Sequence, residues 1–317
     1  MATTVLVTQL QFDKAKEVFE HAEGFSCLPA PEEEAELARM VRERRARYVV
    51  IGGASYRREL YDALPAGGVI ARFGVGYDNI DLKLAAEKGI LCTNTPGTLE
   101  QSVAECTIGM LLLAARRFVA VASGCRGGVW KAQIGCELAG KVLAVAGCGA
   151  IGSRVAAIAK NGFGMKVTGL VHSAPPPECP ADRFTESWDD AVADADFVSL
   201  HIPGSPGNRG FVSAERLARM KRGAWLVNTA RGSVVDEAAL YDALAAGRIG
   251  GAVLDVFQHE PYEPSGGDLR TLPNAVMTPH VGSSTAEACR RMALLALKNI
   301  ELCERGDAAA MNRIGGL

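Results

Sequence analysis

Three ionisable residues follow three apolar runs in the second half of the chain, each just beyond the end of its run. Arg231 follows "AWLVNTA", Glu260 follows "AVLDVF", and His280 ends "AVMTPH". A histidine exchanges protons near neutral pH, a glutamate bonded to it favours the imidazolium, and an arginine fork can bind a carboxylate. Together they fit proton transfer during hydride exchange between a 2-hydroxy acid and its 2-keto form.

Each residue taken alone also has an ordinary structural explanation. Arg231 could form a surface ion pair, Glu260 could be a solvated loop acid, and His280 could mark the entry to a helix. Their shared position favours a site, because ligands of open α/β sheets bind outside the carboxyl ends of the strands.

The elements that must position these residues are short apolar runs alternating with helix-patterned stretches along the whole chain. Runs such as "TVLVT", "YVVIG", "KVLAVAG" and "DFVSLH" are continuous rather than alternating, which indicates parallel strands covered on both faces. The sequence therefore predicts an α/β fold with doubly wound parallel sheets in two domains, the larger being a Rossmann dinucleotide-binding domain.

Two joints divide the chain. Thr98 with Gln101, and Ser284 with Glu287, fit a capping box that opens a helix. We expect a discontinuous substrate-binding (catalytic) domain of residues 1–97 plus 285–317, and an NAD(P)-binding domain of residues 98–284.

The glycine pattern Gly147-x-Gly149-x-x-Gly152 lies between an apolar strand and a helical stretch, where a bare GxGxxG becomes specific. The glycines allow a tight turn, close approach of a pyrophosphate and close helix packing. The amides of Ala150 and Ile151 at the helix start would hold the anion. A merely tight strand-to-helix turn is the structural alternative.

The acid that normally binds the adenosine ribose about 20 residues further on is missing. Val171, His172 and Ser173 occupy that position. A neutral residue removes repulsion toward a 2′-phosphate, whereas no arginine or lysine is supplied at this turn. NAD and NADP therefore both stay open as cofactors. Asp255, at the end of the strand before Glu260, is a further candidate for cofactor binding.

Length and composition limit the class of protein. With 317 residues, 48% of them hydrophobic and 22% charged, the chain has the make-up of a globular protein large enough for two domains. A net charge of -2 gives no reason to expect nucleic acid or a membrane surface as partner. Nine scattered cysteines without zinc spacing, and no signal peptide, predict reduced thiols, no metal and a cytoplasmic location.

The chain resembles the D-isomer-specific 2-hydroxyacid dehydrogenase family over nearly its whole length. The motifs are "RFGVGYDNIDLKLAAEKGI", "NTPGTLEQSVAE", "GCGAIG", "LHIPG", "VNTARGSVVDEAAL", "LDVFQHEP" and "TPHVGSST". The resemblance implies that Arg231, Glu260 and His280 are catalytic. It also implies that the loop of Gly74, Val75 and Gly76 receives the substrate carboxylate, and that the protein is a homodimer.

Departures from the family pattern shape the expected substrate. Phosphoglycerate dehydrogenases place arginines near the loop that here reads Gly52, Gly53 and Ala54, with Arg57 and Arg58 only a few residues later. We therefore expect a small unphosphorylated 2-keto acid, with phosphoglycerate dehydrogenase as the alternative. A second class shares the fold and the three residues, namely corepressor-like scaffolds that sense NAD(H), but no charged or disordered tail is seen here.

Overall fold

The computed structural model describes residues 2–315, which fold into two compact units. Unit 1 contains the residues up to Leu99 together with those from Ser284 onward, and unit 2 contains Glu100–Ser283. The joints expected from the sequence lie at 97/98 and 284/285. Residues 1, 316 and 317 of the expected first domain lie outside the described residues.

Unit 1 contains a five-stranded parallel sheet in the order β2-β1-β3-β4-β5. With elements numbered in chain order, its strands are β1 Thr3–Thr8, β2 Phe25–Ala30, β3 Tyr48–Ile51, β4 Val69–Arg72 and β5 Leu91–Thr93. Its helices are α1 Gln9–Lys14, α2 Lys16–Glu20, α3 Glu34–Arg44, α4 Glu59–Ala63, α5 Leu82–Glu87 and α12 Ala286–Glu304.

Unit 2 contains a seven-stranded parallel sheet in the order β12-β11-β10-β9-β6-β7-β8. Its strands are β6 Val142–Ala146, β7 Lys166–Leu170, β8 Arg183–Thr185, β9 Phe197–Leu200, β10 Trp225–Asn228, β11 Gly251–Leu254 and β12 Ala275–Met277. Its helices are α6 Glu100–Arg116, α7 Phe118–Arg126, α8 Ala150–Phe163, α9 Trp188–Val192, α10 Ala214–Arg219 and α11 Glu237–Ala245. The strand order reverses direction beside β6, which is where open sheets of this kind bind dinucleotides.

The central strands of unit 2, such as β6, are apolar because both faces of the sheet are covered there. Leu143 and Val145 of β6 belong to one buried cluster, whereas Ala144 and Ala146 belong to another. Since successive strand residues point to opposite faces, a sheet covered on both sides needs an unbroken apolar run. The α/β fold class with two doubly wound parallel sheets is confirmed.

Helix α12 begins one residue later than its sequence pattern predicted. The capping oxygen is the hydroxyl of Thr285, which accepts from the backbone N–H of Ala288 at 3.1 Å. Ser284 instead accepts from the ammonium of Lys14 at 3.3 Å. The expectation that Ser284 caps this helix was therefore wrong, because two neighbouring hydroxyl residues satisfy the same pattern and Thr285 is the one at the helix end.

Within residues 2–315, no single helix is long and apolar enough to cross a membrane. Helices α6 and α7, bent by 66° at their junction, meet the length and composition test only as a pair. In the same stretch no group of three or more His, Cys, Asp or Glu side chains is arranged to hold a metal ion.

Candidate active site

The His280 imidazole and the Glu260 carboxylate form a hydrogen bond in unit 2. His280 Nδ1 lies 2.7 Å from Glu260 Oε2, and the two side chains are 41% and 38% exposed. Glu260 Oε1 accepts from the backbone N–H of Phe257 at 3.0 Å. An ionised carboxylate can only accept, so His280 carries a proton on Nδ1. Nε2 is left as the ring nitrogen without a partner in the described chain.

Glu260 is held as a carboxylate by the groups around it. Burial acts to raise the pKa of Glu260, but the hydrogen bond and charge of His280, the Phe257 N–H and the charge of Arg231 lower it more. The net pKa of Glu260 therefore lies below its ordinary value. The Glu260 carboxylate is therefore an acceptor for the Nδ1 proton of His280.

The backbone of His280 is fixed in an unusual conformation beyond the end of β12. His280 has a φ of 53°, in the left-handed region, and its N–H donates to the Asp255 carbonyl at 2.8 Å. The Asp255 carboxylate is buried and accepts from the Thr278 hydroxyl at 2.6 Å and from the N–H groups of Val281 and Gly282 at 2.8 and 2.7 Å. Asp255 thus holds the loop on both sides of the histidine.

Arg231 reaches the same place from the loop after β10. Its carbonyl accepts from the side-chain amide of Asn228, the last residue of β10, at 2.9 Å. A side chain on the next residue, Gly232, would overlap the backbone of Phe257, so only glycine lets the loops after β10 and β11 touch. The Arg231 charge contributes to the lowered pKa of Glu260. The structure therefore brings Arg231, Glu260 and His280 together.

The glycine loop between β6 and α8 has the shape that a pyrophosphate requires. Gly147 has a φ of 94°, and a side chain on Gly152 would overlap the Gly147 carbonyl. A Cβ added to Gly149 would meet no atom within 4 Å, so the space beside this glycine is open. Helix α8 begins at Ala150, and the N–H groups of Ala150 and Ile151 lie in its first turn, where they lack intrahelical acceptors. The loop thus offers space, donors and the positive end of a helix.

Residues 171–173, which form the turn directly after β7, carry no carboxylate. Val171 is half-buried, and its N–H donates to the Thr185 carbonyl at 3.0 Å, whereas His172 and Ser173 are exposed. Both exposed side chains can donate hydrogen bonds to an anion. Nothing in this turn would repel a phosphate on the ribose.

The loop of Gly74, Val75 and Gly76 lies in unit 1, directly after β4. The Gly74 N–H is already used, since it donates to the Thr95 hydroxyl at 3.0 Å, and Asn94 Nδ2 donates to the Val75 carbonyl at 2.7 Å. The N–H groups of Val75 and Gly76 have no acceptor within residues 2–315. Gly74 has a φ of 144°, a backbone conformation that favours glycine. The N–H groups of Val75 and Gly76 are the ones available to an anion.

Asn94 and Thr95 hold the loop of Gly74 and Val75, and the sequence analysis did not single them out. They follow β5 immediately, so the available signal was two polar residues at the end of an apolar strand. Asp255 was expected to bind the cofactor. The structure shows it binding the His280 loop, and its role toward the cofactor stays a prediction.

Comparison with known proteins finds a matching family and several relatives. Residues 108–282 match the family model described as D-isomer specific 2-hydroxyacid dehydrogenase, NAD binding domain. The chain is 40% identical over 258 residues to a glyoxylate reductase of Korarchaeum cryptofilum, covering 78% of this chain and 76% of that protein.

Two further similarities differ in how much of each protein is aligned. The chain is 40% identical over 265 residues to a D-3-phosphoglycerate dehydrogenase of Methanocaldococcus jannaschii, covering 82% of this chain but only about half (50%) of that protein. The crystal structure of an NADPH-dependent glyoxylate/hydroxypyruvate reductase of Sinorhizobium meliloti, in complex with NADP and malonate, superposes with a TM-score of 0.82. It is 29% identical, and the match covers 95% of this chain and 93% of that one.

Proposed function

The chain belongs to the D-isomer specific 2-hydroxyacid dehydrogenase family, a family of NAD(P)-dependent oxidoreductases, and from this premise we propose that it reduces a small unphosphorylated 2-keto acid to the D-2-hydroxy acid. The hydrogen bond between His280 and Glu260 carries the proposal. This bond occupies Nδ1 of His280, whereas Nε2 has no partner in the described chain. Nε2 is therefore the nitrogen that donates a proton to the substrate. In the reverse direction the same nitrogen accepts the hydroxyl proton.

The described residues fit a nicotinamide dinucleotide. The open face at Gly149 and the amides of Ala150 and Ile151 would hold its pyrophosphate, with Gly147 and Gly152 shaping the loop. When bound, the nicotinamide supplies the hydride. The absence of a carboxylate at Val171, His172 and Ser173 is compatible with either NAD or NADP.

His280 acts as the acid and base of the reaction. During reduction, negative charge develops on the carbonyl oxygen, and the imidazolium neutralises it by donating the Nε2 proton. The Nδ1 proton stays on the ring, because it is bound to the Glu260 carboxylate. Glu260 is therefore a positioning residue that fixes the tautomer and favours the charged ring.

Arg231 binds the carboxylate and carbonyl of the substrate in this proposal. The guanidinium fork can bind a carboxylate oxygen and polarise the carbonyl with the same group. Separately, the N–H groups of Val75 and Gly76 in unit 1 lack acceptors within residues 2–315, which suits that loop to bind a carboxylate.

The preference for an unphosphorylated substrate rests on Gly52 and Gly53 after β3, with Arg57 and Arg58 as the nearest cations along the chain. Arg58 Nε pairs with Asp62 Oδ2 at 3.3 Å, and the backbone N–H groups of Arg57 and Arg58 donate to Glu34 at about 3 Å. The Asp62 carboxylate also pairs with Lys88, so Arg58 shares that carboxylate with a second cation. Gly52 and Gly53 offer no charge to a phosphate.

We also propose that the enzyme is a cytoplasmic homodimer. Phe118 and Val119 in α7 and Val129 just after it are exposed, and Trp130 and Ile134 are 93% and 95% exposed. An apolar surface of this kind indicates an interface, and a second copy of the chain is the partner that the family relationship implies. All nine cysteines are free thiols, which suits a reducing compartment.

The test is to mix the purified protein with glyoxylate, hydroxypyruvate or 3-phosphohydroxypyruvate, each with NADH and separately with NADPH, and to follow the loss of reduced-nicotinamide absorbance. We expect turnover with an unphosphorylated acid. His280→Ala should reduce turnover at least about a hundredfold while leaving dinucleotide affinity unchanged, and the exposed His21→Ala is the matched control. Undiminished turnover of His280→Ala would refute the assignment.

A further inference from the structure

A cavity opens beside the turn after β7 in unit 2. Its volume is about 750 Å³, within the range of small-molecule sites, and its lining includes His172, Arg209, Arg216 and Arg219 together with Asp189 and Glu215. His172 belongs to the turn at which the ribose of a bound dinucleotide is expected. The three arginines come from other elements, namely the loop after β9 and helix α10.

Two of the three arginines are already engaged. Arg216 Nη1 donates to the Phe211 carbonyl at 2.8 Å, and the guanidinium stacks 3.7 Å from the centre of the Phe211 ring. Arg219 Nε lies 3.6 Å from Asp189 Oδ2. Arg209 is exposed, and its guanidinium has no acceptor or carboxylate partner within residues 2–315. It is therefore the cation of this lining that is available to a ligand.

The charge balance of the lining favours an anion near His172. Asp189 is neutralised by Arg219. The remaining charges are those of Arg209, of Arg216, whose guanidinium donates to a carbonyl and not to a carboxylate, and of Glu215 in the first turn of α10, so the lining keeps a net positive charge. The β7 turn adds two hydrogen-bond donors, His172 and Ser173, and no carboxylate. A ribose 2′-phosphate carries a charge of about -1.5 to -2 near neutral pH and needs both donors and a cation.

We propose that Arg209 supplies the cationic contact for the 2′-phosphate of NADP and thereby makes the enzyme prefer NADP over NAD. The inference rests on the proposed function, since it concerns the cofactor of that reaction. It differs from the usual arrangement because the arginine comes from the loop after β9, while the β7 turn contributes only His172 and Ser173. A phosphate bound between the two loops would satisfy donors on both.

Two nucleotide fragments test this without any turnover. Isothermal titration should show that the protein binds 2′,5′-ADP at least about tenfold more tightly than 5′-AMP, the gain of one charge-assisted hydrogen bond. Arg209→Gln should remove most of that difference while leaving the affinity for 5′-AMP within about twofold. Arg219→Gln is the control, because it removes the same charge from the same cavity at a residue already paired with Asp189.

Each other outcome overturns the inference. Equal affinity of the wild type for the two fragments would exclude a 2′-phosphate site. A preference that survives Arg209→Gln, or that is lost equally in Arg219→Gln, would show that Arg209 is not the determinant. Failure of the proposed function looks different: the fragment preference would persist while no 2-keto acid is reduced with either NADH or NADPH.

Discussion

Replacing Glu260 by glutamine tests how the histidine is held, because the change is nearly isosteric and removes only the charge and one acceptor. Glu260 Oε1 serves the Phe257 N–H and Oε2 serves His280 Nδ1. A glutamine has a single oxygen for two donors. If that oxygen stays on the Phe257 N–H, the amide NH₂ faces His280 and Nδ1 must accept, so the ring is held neutral and not as the imidazolium.

The magnitude follows from two effects. A charge-assisted hydrogen bond contributes about 1.5–3 kcal/mol, and because both side chains are about 40% exposed, the lower end applies. An imidazolium facing an amide donor also leaves a donor unsatisfied, which costs about 1–3 kcal/mol. We therefore expect Glu260→Gln to lose about 3 kcal/mol in the transition state for reduction, or roughly a hundredfold in kcat/KM at pH 7.

The assay is the pH dependence of kcat/KM for reduction of glyoxylate or hydroxypyruvate, whichever is turned over, from pH 5 to pH 9. In the wild type, the lowered pKa of Glu260 keeps its carboxylate ionised throughout this range, so its protonation does not limit the rate. The variant should recover activity as the pH falls, because more protons restore the imidazolium. Dinucleotide affinity should not change.

Glu263→Gln is the matched control for this experiment. Glu263 is exposed and lies in the same loop, so the substitution removes the same charge without touching the histidine. An unaltered rate and pH profile in Glu260→Gln would refute the role of the carboxylate. An equal loss in Glu263→Gln would show that the general negative potential of the loop matters rather than the hydrogen bond.

Three further predictions concern the ribose turn, the substrate clamp and the exposed segment after α7. Val171→Asp places a carboxylate beside the 2′-position of the ribose, so isothermal titration should find the affinity for 2′,5′-ADP lowered about tenfold. The affinity for 5′-AMP should be retained. An unchanged affinity for 2′,5′-ADP would contradict the location of the ribose. Arg231→Lys keeps the charge but loses the fork, so kcat/KM for the 2-keto acid should fall roughly 10- to 100-fold at constant dinucleotide affinity, and unchanged kinetics would argue against the clamp. Ile134→Asp should convert the dimer to a monomer in sedimentation velocity without lowering the unfolding temperature, because Ile134 is 95% exposed within one chain; a dimer that persists would place the interface elsewhere.

The interior strands could be predicted from the sequence, but two edge strands could not. Strands β2 and β8 lie at the outer edges of their sheets, and neither was recognised. The strand β2 contains Pro29, and β8 begins with Arg183, so neither shows the continuous apolar run of a strand covered on both faces. Edge strands are exposed on one side and tolerate proline and charge, which removes the very signal that identified the others.

The site was predictable to the level of residues but not of atoms. The spacing of Arg231, Glu260 and His280 after three strands was enough to expect them in one place, because parallel strands end at the same edge of a sheet. The Phe257 N–H binds one oxygen of Glu260 and leaves the other for the His280 ring, and no sequence pattern predicts this arrangement. Arg209 escaped notice for a related reason: it is distant in sequence from His172, and only folding brings both to one cavity.

The left-handed conformation of His280 explains why the Asp255 carboxylate is buried against the loop that carries the histidine. A non-glycine residue in this region costs about 1–2 kcal/mol, so the loop would relax unless its neighbours held it. The Asp255 carboxylate accepts three hydrogen bonds from that loop, and bonds to a charged group contribute about 1.5–3 kcal/mol each. These three hydrogen bonds oppose the strain and hold the loop in place. The ring of His280 is in this way aimed by its backbone as well as by its hydrogen bond to Glu260.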